Sequence, residues 1–139
     1  MKLEPKHLSS YYPFDIIIKN SYNKGKSFNK PKKLKAQDLD LLRREKVTIK
    51  PILFPLTSLT KEITVNGETF VPYDKIKEIY PNTPQFTDYI KGWMQYYGVM
   101  DSKCEYVCIL KLFEWKIDVF GLIELGLAEP VTEDFNPYK

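Results

Sequence analysis

One histidine and two cysteines are all the imidazole and thiol chemistry in this 139-residue chain. A structural zinc centre wants four ligands, and two Cys with one His at no paired spacing fall short of that. A nucleophilic cysteine needs a neighbouring base and an electropositive setting. His7 is remote from Cys104 and Cys108 in sequence, and the charges beside them include Asp101 and Glu105. The two cysteines stand four apart on one face of a predicted helix, which suits buried thiols better than a mutual disulfide. A reduced, intracellular protein is the simple expectation. His7 itself reads as a surface residue near a terminus. The six glycines are scattered singly, so neither a phosphate-cradling loop nor a dinucleotide fingerprint is present.

Long apolar runs are missing as well. A membrane helix needs roughly 20 apolar residues, and the best stretch, Tyr106 to Leu112, is interrupted by Lys111. Met1 to His7 carries charge but has no apolar segment behind it, so a secretory signal is not expected. No internal repeat is visible, which removes solenoids and propellers. Hydrophobic residues at 43%, charged at 28% and aromatic at 14% exclude collagen-like, mucin-like, coiled-coil and disulfide-scaffold chains. They leave packing mass for a single domain over 1–139. Glu114, Asp118, Glu124 and Glu129 are candidates to converge on folding. These four show no Asp-x-Asp or Glu-x-x-His spacing, and a solvated acidic face is the plainer reading. The expectation is a non-enzyme with no catalytic, metal or cofactor-binding residues and no small-molecule substrate.

What the chain does have is charge divided by position. Residues 1–50 hold thirteen Lys and Arg against five Asp and Glu, while residues 51–139 hold eight against thirteen. The basic part is concentrated. Lys19, Lys24, Lys26, Lys30, Lys32, Lys33 and Lys35 occur with no acid between Ile16 and Gln37. Such a field draws phosphates or an acidic protein surface. Tyr22 and Phe28 lie among the lysines as stacking candidates. The candidate interaction residues are therefore Tyr22, Lys24, Lys26, Phe28, Lys30, Lys32, Lys33 and Lys35. The plain alternative is a flexible, solvated loop over about 20–35. Lysine without arginine also lacks the planar fork of bidentate recognition.

Local signals give a mixed architecture. Pro5 to Tyr11 predicts a short helix stopped by Pro13, and Phe14 to Lys19 a β-branched strand. Ala36 to Arg44 fits a helix or a strand edge. Val47 to Lys50 is strand-like. Pro51 and Pro55 each remove a backbone donor, which places Ile52 to Phe54 at a sheet edge or in an extended connection. Thr57 to Glu62 predicts a helix start capped by Ser58. Asn66-Gly67, between Ile63-Thr64-Val65 and Glu68-Thr69-Phe70-Val71, predicts a two-residue type I′ hairpin. Helices are expected over Pro72 to Tyr80 and from Thr83 to Gly98, the second with an apolar stripe of Phe86, Tyr89, Ile90, Trp93, Met94 and Tyr97. Asp101 or Ser102 caps a further helix running to Ile117. A last short helix carries Val119 to Leu125 and ends at Gly126. Pro130 onward reads as a loose acidic tail. Three to four helices and a small antiparallel sheet, with a helical C-terminal half, make an α+β domain. Tyr11, Tyr12 and Tyr96 are further candidates for interface anchors, with core or rim packing as the default.

Two longer stretches carry a resemblance. One is Lys50-Pro51-Ile52-Leu53-Phe54-Pro55-Leu56-Thr57-Ser58-Leu59-Thr60-Lys61-Glu62-Ile63 with the hairpin and Phe70-Val71-Pro72 after it. The other is Lys111-Leu112-Phe113-Glu114-Trp115-Lys116-Ile117-Asp118-Val119-Phe120-Gly121-Leu122-Ile123-Glu124 with Gly126-Leu127-Ala128. With Leu3 to Tyr12, they resemble small phage and prophage proteins of Bacteroides-like bacteria. Phe54 and Ser58 stand where that pattern has Arg and Asp. The resemblance brings no residue roles with it. It implies a genomic setting in which small proteins often act as stoichiometric binders in the host cytoplasm, including anti-CRISPR inhibitors of host defence nucleases. The partner so implied is a host or phage protein, such as a CRISPR effector nuclease or its guide RNA, and no membrane. The alternatives are a nucleic-acid-binding phage accessory protein that uses its lysines, and a virion structural component.

Overall fold

Glu4 and His7 start the first helix as a reciprocal pair. The His7 N–H donates to the Glu4 carbonyl oxygen at 3.0 Å, and the Glu4 N–H donates to His7 Nδ1 at 2.9 Å. Together these bonds satisfy two donors at the start of the helix. The computed structural model of the chain describes residues 2–79 and 106–139. Over these residues helix α1 (Pro5–Ser9) is followed by a 3-10 turn (Tyr12–Phe14), strand β1 (Ile17–Ser21) and strand β2 (Lys32–Lys33). Helix α2 (Ala36–Arg43), strand β3 (Thr48–Leu53) and a second 3-10 turn (Leu56–Thr60) come next. The hairpin β4 (Ile63–Val65) and β5 (Glu68–Phe70) leads into helix α3 (Pro72–Ile79). Helix α4 (Tyr106–Glu114) and strand β6 (Glu129–Pro130) complete the described elements.

The main sheet has the order β2-β1-β3-β6. β1 runs antiparallel to both β2 and β3, whereas β6 lies parallel to β3. The hairpin β4–β5 forms a separate two-stranded sheet. Its turn bears out the Asn-Gly reading, with Asn66 at φ 53° and Gly67 at φ 81°, the positive angles a type I′ turn requires. The α+β class is likewise as expected. A core of aliphatic and aromatic side chains joins these parts, with Leu8, Ile16, Ile18, Ile52, Leu53, Leu59, Leu112 and Ile117 fully buried. Each such side chain contributes about 1.5–3 kcal/mol by leaving water. Among the described residues no helix is long and apolar enough to cross a membrane.

Several local expectations are corrected. The first strand begins three residues later than Phe14, because Phe14 closes the 3-10 turn and Asp15 takes a left-handed φ of 58°. Of the two readings left open for Ala36 to Arg44 the helix holds, over Ala36–Arg43, its first turn held by the Asp38 carboxylate, which accepts the Lys35 N–H at 2.9 Å. β3 is an inner strand although it contains Pro51. The missing donor is tolerated because β6 pairs only from Ile52 onward, so at Pro51 the strand has β1 on one side alone. Ser58 caps no helix. It sits inside the second 3-10 turn, where its N–H bonds Pro55 O and its carbonyl accepts the Lys61 N–H.

The C-terminal half is less helical than its apolar pattern suggests. Helix α4 stops at Glu114, since Lys116 adopts φ 58° and returns its N–H to Phe113 O. Ile117 then bridges Phe54 instead of extending the helix. Residues 119–125 form turns and no helix. Gly121 at φ 70° breaks the spiral, and Asp118 accepts the Leu122 and Ile123 N–H groups at 2.8 and 2.9 Å. Gly126 does take the left-handed angle expected of it, φ 73°. The segment after Pro130 is not loose. Val131 donates to Leu53 O at 2.8 Å, and Tyr138 is buried with its hydroxyl donating to Ile52 O at 2.6 Å. His7 is buried too, edge-on to Phe120 at 5.7 Å. The expected helix at 83–98, the capping by Asp101 or Ser102, Tyr96 and Cys104 lie outside the described residues, as does the Cys108 side chain.

Tyr11 is fully buried, and its hydroxyl donates to Ile117 O while accepting the Val119 N–H at 3.1 Å. Tyr11→Phe removes two buried hydrogen bonds and leaves these backbone groups only the bond they make to each other, Val119 N–H to Ile117 O at 2.9 Å. Its unfolding free energy should fall by about 1–3 kcal/mol. Urea denaturation would show a lower midpoint at an unchanged slope, and an unmoved midpoint would refute the role given to the hydroxyl.

Candidate functional site

The lysine-rich connection between β1 and β2 is an arch tied at its base. Asn29 bonds Asn20 twice, N–H to carbonyl at 2.7 Å and side chain to side chain at 2.9 Å, and Asn20 is buried. At the tip, Lys24 at φ 57° and Gly25 at φ 82° turn the chain back, and Lys26 donates to Asn23 O. A side chain at Gly25 would meet only ordinary contact with Thr48, so the backbone angle and not space asks for glycine there.

The eight candidate residues are distributed over different environments. Tyr22 is 57% exposed, and Lys24, Lys26, Lys30 and Lys35 are exposed. Lys32 is held by the buried Asp38 carboxylate at 2.9 Å. Its neighbour Lys33 stands 3.9 Å from Asp15. Lys35 gives its backbone N–H to the start of α2. Phe28 is half-buried with the Lys50 ammonium 5.4 Å above its ring.

Of the eight, Tyr22 and Lys24 join a concave site among the described residues. They line a groove of about 470 Å³ together with residues of the turn between α2 and β3. That turn is made by Glu45 at φ 57°, with the Glu45 and Lys46 N–H groups bonded to Leu42 O and Leu41 O. It is a helix end of the Schellman type, with glutamate where glycine is usual. The floor is aliphatic, formed by Leu3, Leu42, Val47, Ile49 and Leu127. The rim is basic, carrying Lys2, Lys24, Lys46 and Lys50. Lys2 pairs with Glu45, which raises the lysine pKa and lowers that of the carboxylate, chiefly through their hydrogen bond. Lys24 and Lys46 have no ion-pair partner among the described residues.

The groove residues outside the arch were reachable only in part from sequence. The basic run resumes at Arg43, Arg44, Lys46 and Lys50 after Asp38 and Asp40, which signals a longer basic surface. Nothing in local pattern brings Lys2 or Leu127 to the same place. A second concavity of about 600 Å³ lies between Pro55 and the tail, edged by Lys61, Glu62, Glu133 and Lys139.

The four carboxylates considered together are not gathered into a site. Glu114 pairs with Lys111 at 2.9 Å, Glu129 with Lys19 at 2.9 Å, and Glu124 is exposed. Asp118 is buried, contrary to a solvated acidic face, and works as a turn former. Among the described residues no three His, Cys, Asp or Glu side chains stand together as a metal set. Burial depresses the Lys116 pKa, with Asp15 and Glu114 opposing, and its ammonium sits 5.3 Å from the Tyr138 ring. No family model, curated protein or solved structure matches this chain.

Burial raises the Asp118 pKa above its ordinary 3.8, although the N–H groups of Ile123, Leu122 and Gly121 pull the other way. A raised folded value means the native state holds this proton more tightly than the unfolded chain does. That stabilisation is complete below the ordinary value and is lost as pH rises through the raised one. Asp118→Asn removes the titration. The stability of the wild type relative to this variant should therefore decline as pH climbs from about 4 toward neutrality. Denaturation across that range checks it, and a flat or rising difference would count against the assignment.

Proposed function

We propose that this chain is an accessory protein that works by holding another macromolecule and performs no bond-making of its own. The observation that carries this reading is the groove, an aliphatic floor under lysines of which Lys24 and Lys46 have no ion-pair partner among the described residues. Exposed Tyr22 belongs to its lining. Half-buried Leu42 and Leu127 leave apolar surface beside unpaired charge, and a binding surface uses both. The setting follows from the sequence resemblance: a phage-derived protein in the cytoplasm of a bacterial host. In its specific form it inhibits a defence nuclease of the CRISPR type by stoichiometric binding.

Immobilised full-length chain, exposed to lysates of related hosts, should retain a nuclease or a nuclease component in near-equal amount. Target cleavage by that nuclease should then stop at equimolar inhibitor. Failure to retain any stable partner across a panel of such hosts would overturn the reading.

A second reading is favoured by one observation, the exposure of Tyr22, Lys24, Lys26 and Lys30 on the arch without ion-pair partners among the described residues. It makes the chain a single-stranded nucleic-acid binder with a ring for a base and ammonium groups for phosphates. Affinity for an oligouridylate should then fall steeply with salt, at a slope near 0.7 per phosphate contacted. Replacing Lys24, Lys26 and Lys30 together by Ala should flatten that slope, with Lys32 left in place because it neutralises buried Asp38. Salt-independent binding would remove this reading.

A further inference from the structure

Resting on the reading of the chain as a binding protein, we infer that the groove between the β1–β2 arch and the α2–β3 turn takes an acidic, amphipathic segment of a partner protein. Its occupant would set leucine- or phenylalanine-like side chains on the floor and carboxylates against the rim.

Charge complementarity narrows the choice first. Lys24 on the arch and Lys46 on the α2–β3 turn both line the groove, with no acid of their own to answer them among the described residues. The one carboxylate in the lining, Glu45, is engaged by Lys2. An entering anion thus meets two uncommitted ammonium groups, and a cation meets repulsion from both.

The floor then separates the classes of anion. Half-buried Leu42 and Leu127 give the accessible aliphatic surface, continuous with the buried core residues Leu3, Val47 and Ile49 of the same lining. Bases stack on rings, and Tyr22 is the single ring in the lining. Aliphatic side chains repeating on one face of a short segment fill such a floor by the ordinary hydrophobic effect, as in helix-in-groove recognition. Lysine suits this role as well, since flexible point charges follow carboxylates at varied spacing without a fixed bidentate geometry. A volume of about 470 Å³ lies in the range of sites that bury a ligand of modest size.

The test uses an array of short labelled peptides that pair glutamate or aspartate with leucine or phenylalanine at varied spacing, applied to the full chain. At least one spacing should bind, and its glutamine-for-glutamate counterpart and an oligouridylate should bind at least about tenfold more weakly. Amide shifts on binding should concentrate at Tyr22–Lys24, Lys46–Lys50 and Gly126–Leu127. Lys24→Glu with Lys46→Glu, both exposed and outside the core, should weaken the peptide at least about tenfold, while Lys24→Arg with Lys46→Arg should retain it. Binding of none of the array, or equal binding of the glutamine series, would overturn the inference. Tighter oligouridylate binding at the same residues would give the groove to nucleic acid and overturn it too. A concentration-dependent rise in mass, abolished by the glutamate pair, would give it to a second copy of this chain with the same consequence. If the glutamate pair captured a lysate partner as well as wild type does, the groove assignment alone would fall and the binding function would stand.

Discussion

Residues Lys116 to Val119 are hydrogen-bonded to two distant parts of the chain at once. The Tyr11 hydroxyl spans Ile117 O and the Val119 N–H across separations of 106 and 108 residues. On the other side Phe54 donates to Lys116 O at 2.8 Å and accepts from the Asp118 N–H at 2.9 Å. These groups are buried, where a missing partner costs about 1–3 kcal/mol and a satisfied pair contributes less. The segment therefore has one placement in which every bond is made, and displaced alternatives leave several groups unpaired. That specifies the crossing of the N-terminal helix, the end of β3 and the C-terminal third. Apolar burial alone, being non-directional, would leave their relative positions loose.

The groove inherits its position from this crossing. Once Asp118 is fixed, its carboxylate sets the Leu122 and Ile123 turn, and Leu127 closes that turn by donating to Leu122 O at 2.9 Å. Leu127 is thereby carried into the groove lining that includes Tyr22 and Lys24. The other walls are equally constrained, because the arch is stapled by Asn20 and Asn29 and the α2–β3 turn by a helix-end motif. Such supports leave the groove lining ordered in advance, a state in which part of the entropy that association otherwise loses has already been removed.

What could be read from sequence was mainly what lies within a few residues. Asn66-Gly67 names its own turn because its dihedral demand is local, and the α+β class follows from short periodic segments. The errors share a different cause. Val119 to Leu125 has a helical pattern, yet Gly121 and the Asp118 side chain satisfy the backbone another way. His7 looks like terminal decoration until Glu4 takes up its Nδ1 and Phe120 its edge, a partner 113 positions along. The tail from Pro130 is polar in composition, and only tertiary acceptors such as Ile52 O and Leu53 O give it a fixed place. Of the site, Tyr22 and Lys24 were legible as a basic stretch with an aromatic. Lys2 and Leu127 reach the groove through contacts that no local pattern encodes.

The lysines of the first fifty residues divide into two populations, and the division bears on function. Lys19 and Lys32 are spent on Glu129 and the buried Asp38, positions where removing the cation would leave a carboxylate with less compensation. Lys24, Lys26, Lys30 and Lys46 answer no carboxylate among the described residues. Their mutual repulsion across a short arch and the α2–β3 turn opposes the folded arrangement, modestly in water and less so in salt. A chain that needed charge only for solubility could scatter it. Here Lys24 and Lys46 share a groove lining with half-buried Leu42 and Leu127, the pairing in which an anionic partner relieves repulsion and covers hydrocarbon in the same step.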